Sequence, residues 1–435
     1  MTTTHFRNLE ILTLDQAGTF YHDASLVVTD GHITHLGQVP DGLPADETVD
    51  GRGRVAMPGL FNAHCHSPMN LLRGWAEDMS FPDWLQQIWV AENQLAAEDV
   101  YWAAALAALE MIRTGIVAYN DMYFYMDQVA EVARHSGMKA TLCWTVFDPG
   151  QGSAPGATLE QTVEWIQGLR AEGNPRLKAM LAPHAPYTCS QPLLERAVEL
   201  AHSLNLGIHT HLAESQDQVD QSLRRYGLRP VQHLNRIGAF DVPGGCVAAH
   251  TLYVDRQDIQ LLVEKGVYVP HCPITYMKLS MPFFSLKPLL EAGVRLCLGS
   301  DGPASNADID LFAVVRQTAL TQKMLQADPT MLPGDSLLRM ATQAGAQALG
   351  FGESGVLKIG APADLILVNL DAPHMRPIHN LAANLVHSAK GSDVTDVMVD
   401  GQWLMRKREV QTLDEERILY EAERHARALI RRRSS

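Results

Sequence analysis

The sequence predicts an α/β protein: a (β/α)8 TIM-like barrel carrying a small β-sandwich domain formed from both chain termini. Three observations point there. Eight short apolar runs alternate with helical patterns of about 12–18 residues, and repeated β-then-α units build a parallel sheet. Eight units favour closure into a barrel, with an open doubly wound sheet as the competing arrangement. Outside that region both ends of the chain read as short strands around Asp-Gly turns, a tight-hairpin signature.

Taken in order, residues 1–57 form the first β part, in which Ser25–Thr34 sets two β-rich runs around Asp30-Gly31. The barrel is expected over residues 58–354. Its strands are Pro58–Ala63, Gly115–Tyr119, Lys139–Trp144, Leu177–Ala182, Leu206–His211, Cys246–His250, Val267–Pro270 and Val294–Gly299. Helices such as Asp99–Thr114 and Pro192–Ser203 lie between them. Residues 355–435 return to β structure at Ala363–Val368 and at Val397–Leu404, around Asp400-Gly401, and end in a helix. Each terminal piece has too few strands to be stable alone, so one sandwich built from both is expected.

Composition narrows the function. The 435 residues are 46% hydrophobic and 19% charged, ordinary for a globular chain. No run of 18 apolar residues occurs and the N-terminus lacks a signal-peptide layout, so neither a membrane span nor export is expected. Six scattered cysteines do not form a disulfide framework, which suits the cytoplasm. A net charge of −14 argues against nucleic acid and anionic membranes as partners and leaves small molecules. The Arg431-Arg432-Arg433 run is expected to be part of a frayed end.

The polar residues of interest sit at strand ends, where barrels place their catalytic groups. The first expected strand ends in His64-Cys65-His66, the fourth in His184, and the fifth in His211 with Glu214 just beyond. The sixth ends in His250, the seventh in His271 and the eighth in Asp301. Among 18 histidines, chance gives about one His-x-His pair, and two occur, so joint placement carries the argument. Residues i and i+2 of a strand share a face, so His64 and His66 can face one metal. In the second pair, His211 at the strand mouth is the expected ligand, and the deeper His209 reads as a packed barrel histidine. Three imidazoles and a carboxylate suit one divalent ion (zinc, iron or manganese) with a position open for water. That water would ionise near pH ~7. Glu214 is close enough to reach both it and a substrate ring nitrogen. In the plainer alternatives Glu214 is a solvated acid in a first helical turn, and Asp301 a cap or turn residue.

The segments Pro58–His66, Leu72–Asp78, Ala182–Tyr187, His209–Glu214, Gly299–Asn306 and Gly360–Leu365 together resemble the amidohydrolase superfamily. The resemblance is to its mononuclear-metal aminohydrolases, which include 5-methylthioadenosine/S-adenosylhomocysteine deaminases and cytosine, guanine and triazine hydrolases. It implies that His64, His66, His211 and Asp301 hold one metal ion, zinc first among the three. It further implies attack by metal-bound hydroxide on an adenine nucleoside, with release of ammonia. His250 would hydrogen-bond the hydroxide or the substrate, Glu214 would protonate the ring nitrogen, and Asp301 would pass the water's proton to the leaving amine. His184 and Trp75 would line the pocket with Glu214. Trp144, at the third strand's end, and Tyr276, just past the seventh, complete the expected substrate contacts. A homodimer or larger homo-oligomer is also implied.

Two departures bear on the substrate. After His271-Cys272-Pro273 the chain reads Ile274-Thr275-Tyr276-Met277-Lys278-Leu279, bulkier and less polar than many nucleoside-acting relatives. No arginine lies between Arg134 and Arg170, although arginine is the natural bidentate partner of a substrate carboxylate. We therefore expect 5-methylthioadenosine or adenosine to be preferred to S-adenosylhomocysteine. The competing readings are a hydrolase of another heterocycle (triazine, guanine, pterin or cytosine type) and a barrel that binds without catalysis. The complete set His64, His66, His211, Glu214, His250 and Asp301 speaks against the second.

Overall fold

The computed structural model describes residues 2–39, 43–148, 156–282 and 284–433. The first five strands are β1 (Thr3–Leu12), β2 (Phe20–Thr29), β3 (His32–Gly37), β4 (Glu47–Asp50) and β5 (Arg54–Pro58). The next eight are β6 (Leu60–Cys65), β7 (Ile116–Tyr123), β8 (Lys139–Val146), β9 (Leu177–Pro183), β10 (Gly207–Leu212), β11 (Cys246–His250), β12 (Tyr268–His271) and β13 (Arg295–Leu298). The last four are β14 (Leu365–Asn369), β15 (Val394–Val399), β16 (Gln402–Arg406) and β17 (Glu409–Val410).

β6 to β13 pair in sequence order as one parallel eight-stranded sheet. The sheet closes on itself at a seam between β6 and the end of β13. There Asp301 N donates to His64 O at 3.0 Å, and Asn62 and Ser300 exchange two hydrogen bonds of 2.7 and 2.9 Å. The seam needs a residue without a side chain at Gly299, because a Cβ there would lie 2.8 Å from His64 O. Gly299→Ala is therefore expected to force the strands apart beside His64. A loss of about 1–3 kcal/mol, the usual cost of overpacking, would be read as a lower Tm in thermal unfolding.

The remaining strands form one nine-stranded sheet in the order β17-β16-β15-β14-β5-β1-β2-β3, with β4 added to β1. Both termini contribute, and β14 pairs antiparallel to β5 across more than three hundred residues of chain. Its hairpin turns are Asp30-Gly31 (φ 47° and 82°) and Asp400-Gly401 (φ 45° and 76°), the left-handed pair that a two-residue turn requires. The two turns abut, since a Cβ on Gly31 would lie 2.7 Å from Asp400 O. Beneath them Lys139, at the start of β8 and 5% exposed, bonds Asp364 and approaches Asp400 to 2.7 Å. This buried ionic joint ties the barrel to the terminal sheet.

The C-terminus departs from the sequence expectation. Helix Glu415–Arg433 packs on helix Ala97–Arg113 instead of fraying. Arg432 donates to both Asp99 carboxylate oxygens (2.7 and 2.9 Å) and to Gln94 O, and His425 donates to Asp99 at 2.7 Å. Asp99 is buried; the two-pronged contact with the Arg432 guanidinium and the hydrogen bond from His425 make its burial tolerable. No helix among the described residues is long and apolar enough to cross a membrane.

Candidate active site

Strand alternation delivers the histidines to one point. His64 and His66 project from β6 and its exit, His211 from the end of β10, and Asp301 follows β13. All are buried, at 0%, 8%, 5% and 6% exposure. Each histidine is held by its Nδ1. His66 Nδ1–H donates to Met122 O at 2.6 Å and His211 Nδ1–H to His184 O at 3.0 Å, while His64 Nδ1 meets His209 Nε2 at 2.9 Å. That fixes the Nε2 atoms inward. His66 and His211 Nε2 stand 3.3 Å apart, and Asp301 Oδ1 lies 3.3 Å from His66 Nε2 and 3.6 Å from His64 Nε2. His64 Nε2 has no hydrogen-bond partner. At zinc–nitrogen distances of about 2.0–2.1 Å and tetrahedral angles, ligand atoms sit about 3.3 Å apart. The donor set therefore fits a divalent metal ion. The His64, His66 and Asp301 donors converge, as do those of His64, His211 and His250.

Electrostatics agree. Burial drops the pKa of His64 to about 3 and takes His211 well below its usual range, so these rings present lone pairs. For Asp301, burial favours the neutral acid, but the His64 and His66 imidazoles beside it outweigh that and hold its carboxyl well below the usual range. His66 rises: burial works against it, and the bond to Asp301 wins. A buried carboxylate among imidazoles calls for a positive charge at their centre.

Glu214 and His250 stand beside this cluster. His250 Nε2 lies 3.5 Å from Glu214 Oε2, and its ring stacks on His211 with centroids 5.4 Å apart. His250 (φ 71°) and Asp301 (φ 61°) both adopt left-handed backbone at their strand ends, a cost of roughly 1–3 kcal/mol each for non-glycine residues. This strain aims both side chains into the barrel mouth.

The cavity above is lined by His66, His184, His211, Glu214, His250 and Asp301, as the sequence led us to expect, but three expected contacts lie elsewhere. Trp144 alternates away from the cavity and packs edge-on against Trp165 of the outer helix Leu159–Ala171, so its neighbours Thr145 and Phe147 face the site instead. Tyr276 is buried behind His250: its hydroxyl accepts from Cys272 N (3.0 Å) and lies 3.3 Å from His250 Nδ1. Of its helix, Pro273–Lys278, Thr275 reaches the cavity. Trp75 packs on the core without lining the cavity.

The aromatic wall comes from helix Phe81–Glu92, whose Phe81, Trp84, Leu85, Ile88 and Trp89 form one stripe ending at Glu92. That i, i+3, i+4, i+7, i+8 pattern was present in the sequence, and Glu92 closes it as a carboxylate 3% exposed. Tyr187, also missed, donates to Glu214 Oε1 at 2.9 Å. His209 is the packed histidine that was expected, and it buttresses His64.

Comparison with known proteins agrees with this geometry. The amidohydrolase family pattern matches residues 55–404. A 5-methylthioadenosine/S-adenosylhomocysteine deaminase of Dictyoglomus turgidum is 42% identical over 426 residues, covering 98% of this chain and 99% of its own. A 5'-deoxyadenosine deaminase of Methanosarcina mazei is 40% identical, with 99% of both chains covered. An adenosine deaminase from Xanthomonas campestris, solved with bound zinc, superposes with a TM-score of 0.93 at 32% identity over 98% of each chain. Atrazine chlorohydrolase from Arthrobacter aurescens (TM-score 0.89, 24% identity, 97% of this chain and all of its own) shares the fold. The match spans the barrel, its seam and the strands that flank it, and the chain belongs to the amidohydrolase family.

Proposed function

We propose that this protein is a metal-dependent aminohydrolase that deaminates an adenine nucleoside and releases ammonia. The observation that carries the reading is the convergence of His64, His66, His211 and Asp301 with Glu214 and His250 alongside, at the floor of a mainly apolar cavity. His64, His66, His211 and Asp301 would hold the ion. A divalent ion bound there supplies Lewis acidity, which makes water a nucleophile near neutral pH.

The chain supplies the rest. Asp301, ionised and beside the metal-facing nitrogens, accepts the proton that water gives up and passes it to the departing amine. Glu214 delivers a proton to the ring nitrogen next to the attacked carbon, which lets that carbon become tetrahedral without a full negative charge on the ring. His250, aimed by its backbone and its contact with Tyr276, hydrogen-bonds the developing oxyanion. His184 and Phe147, with ring centroids 4.6 Å apart, offer flat faces to a planar base, and Trp84 and Ile88 exclude water above it. Glu92 places a carboxyl group in the same cavity, which suits the hydroxyls of a sugar.

The cavity's charge supports a neutral tail on that nucleoside. Among its described lining residues are the acids Glu92, Glu214 and Asp301 and neither lysine nor arginine. The 149–155 part of the segment without arginine lies outside the described residues. A ligand carrying an amino-acid carboxylate would find no lysine or arginine side chain among those lining residues to pair with. The names of the relatives, which pair 5-methylthioadenosine with S-adenosylhomocysteine in one case and give 5'-deoxyadenosine in the other, support the adenine nucleoside but do not choose between tails.

The test is ammonia release by the zinc-loaded protein on 5-methylthioadenosine, adenosine, S-adenosylhomocysteine, guanine, cytosine and an aminotriazine. We expect turnover of the adenine nucleosides, with kcat/KM higher for the two neutral ones than for S-adenosylhomocysteine. Faster turnover of S-adenosylhomocysteine would overturn the tail preference. Activity confined to another heterocycle would overturn the nucleoside reading. All six cysteines are buried and unpaired, which supports a reducing, cytoplasmic setting.

A further inference from the structure

Glu214 is the last residue before a helix cap, and the sequence from there reads Glu214-Ser215-Gln216-Asp217-Gln218. Ser215 caps helix Gln216–Tyr226, with its hydroxyl accepting from Gln218 N. Ser-x-x-Gln is a capping-box pattern, in which the glutamine would normally turn back to the N–H of the cap residue itself. Here it reaches one residue further. Gln218 Oε1 accepts from Glu214 N at 3.0 Å, and Gln218 Nε2 donates to Glu214 Oε1 at 2.6 Å. The backbone N–H fixes which end of the amide is which, so the group facing the carboxylate must be the NH2. From the loop after the neighbouring strand β9, Tyr187 OH donates to the same Oε1 at 2.9 Å. Burial and the nearby carboxylate keep the Tyr187 phenol protonated, well above its ordinary range.

We infer that Tyr187 and Gln218 are positioning residues that confine the transferable proton of Glu214 to Oε2. Two donors saturate Oε1, and a proton placed there would point an O–H at two other hydrogens. The remaining oxygen, Oε2, is the one turned towards His250. When the O–H bond at Oε2 breaks and an N–H bond forms on the substrate ring, the carboxylate left behind is already held by both donors. No side chain has to reorient during the transfer. The inference rests on the reading of Glu214 as the proton donor.

The test is a double-mutant cycle. Tyr187→Phe and Gln218→Met each remove one donor with little change of shape. Each is expected to lower kcat roughly tenfold, the worth of one hydrogen bond to a charged group. KM and metal content should stay near wild type. In a Glu214→Gln background, where no carboxyl proton remains to be placed, the same two changes should lower kcat no further. Non-additivity of this kind is what a unit acting through one residue gives. An equal loss in both backgrounds, with Glu214→Gln itself impaired, would show a structural role and overturn the inference alone. A Glu214→Gln enzyme with the wild-type rate would overturn the reading of Glu214, and the inference with it.

Discussion

Glu214→Gln is expected to leave the metal in place and to lower kcat by about 10²–10⁴, the usual worth of a general acid–base group. Glutamine has nearly the same shape and can still accept from Tyr187, so the pocket should persist. What it lacks is a proton that it can give up. Glu214 Oε2 faces His250, and the proposed ligands His64, His66, His211 and Asp301 do not include it, so metal stoichiometry should match wild type. Saturating ammonia-release rates beside elemental analysis of the same sample check both halves. A near-wild-type rate would remove Glu214 from the reaction.

His66→Ala is expected to fail differently, losing the ion along with the rate. The imidazole is held by Met122 O on one side and faces His211 and Asp301 on the other. Its removal opens the coordination shell and leaves the Asp301 carboxylate buried beside fewer partners. The loss of metal affinity should exceed the roughly 10–100-fold that follows removal of an outer-shell partner. Competition with a chromogenic chelator measures it directly. Full metal content in this variant would mean that the ligands are other residues.

The two variants test residues that the sequence exposes for a simple reason. A barrel gathers the ends of its strands, so His64, His66, His211, His250 and Asp301, far apart in the chain, could be grouped once the strands were recognised. The Asp30-Gly31 and Asp400-Gly401 hairpins were legible on similar grounds, because a two-residue turn demands particular residues. Side-chain direction was harder. Trp144 and Thr145 are neighbours on β8, and the strand runs two residues past its expected end at Trp144, so alternation turns Trp144 outward and Thr145 inward. Tyr276 lies in a short helix whose rotation set it behind His250 rather than over the substrate. The Phe81–Glu92 wall was missed because an amphipathic stripe looks the same whether it covers a core or a ligand. The Lys139–Asp364 joint and the Asp99–Arg432 clasp bring together residues more than two hundred positions apart, and no local pattern announces them.

The pairing of β5 with β14 has a consequence for how the molecule is made. Arg54 waits for Asn369, and Pro58 for Leu365, before the shared sheet can form at its centre. At translation speeds of about 5–20 residues per second, the nascent chain carries an unpaired β5 edge for roughly 15–60 s. An open strand edge is a template for any other extended chain, including a neighbouring copy on the same messenger. The whole barrel is synthesised within that interval. The yield of soluble protein should therefore depend more on how long this edge stays bare than on the stability of the finished enzyme. Slower synthesis lengthens the exposure, and chaperone capacity shields it.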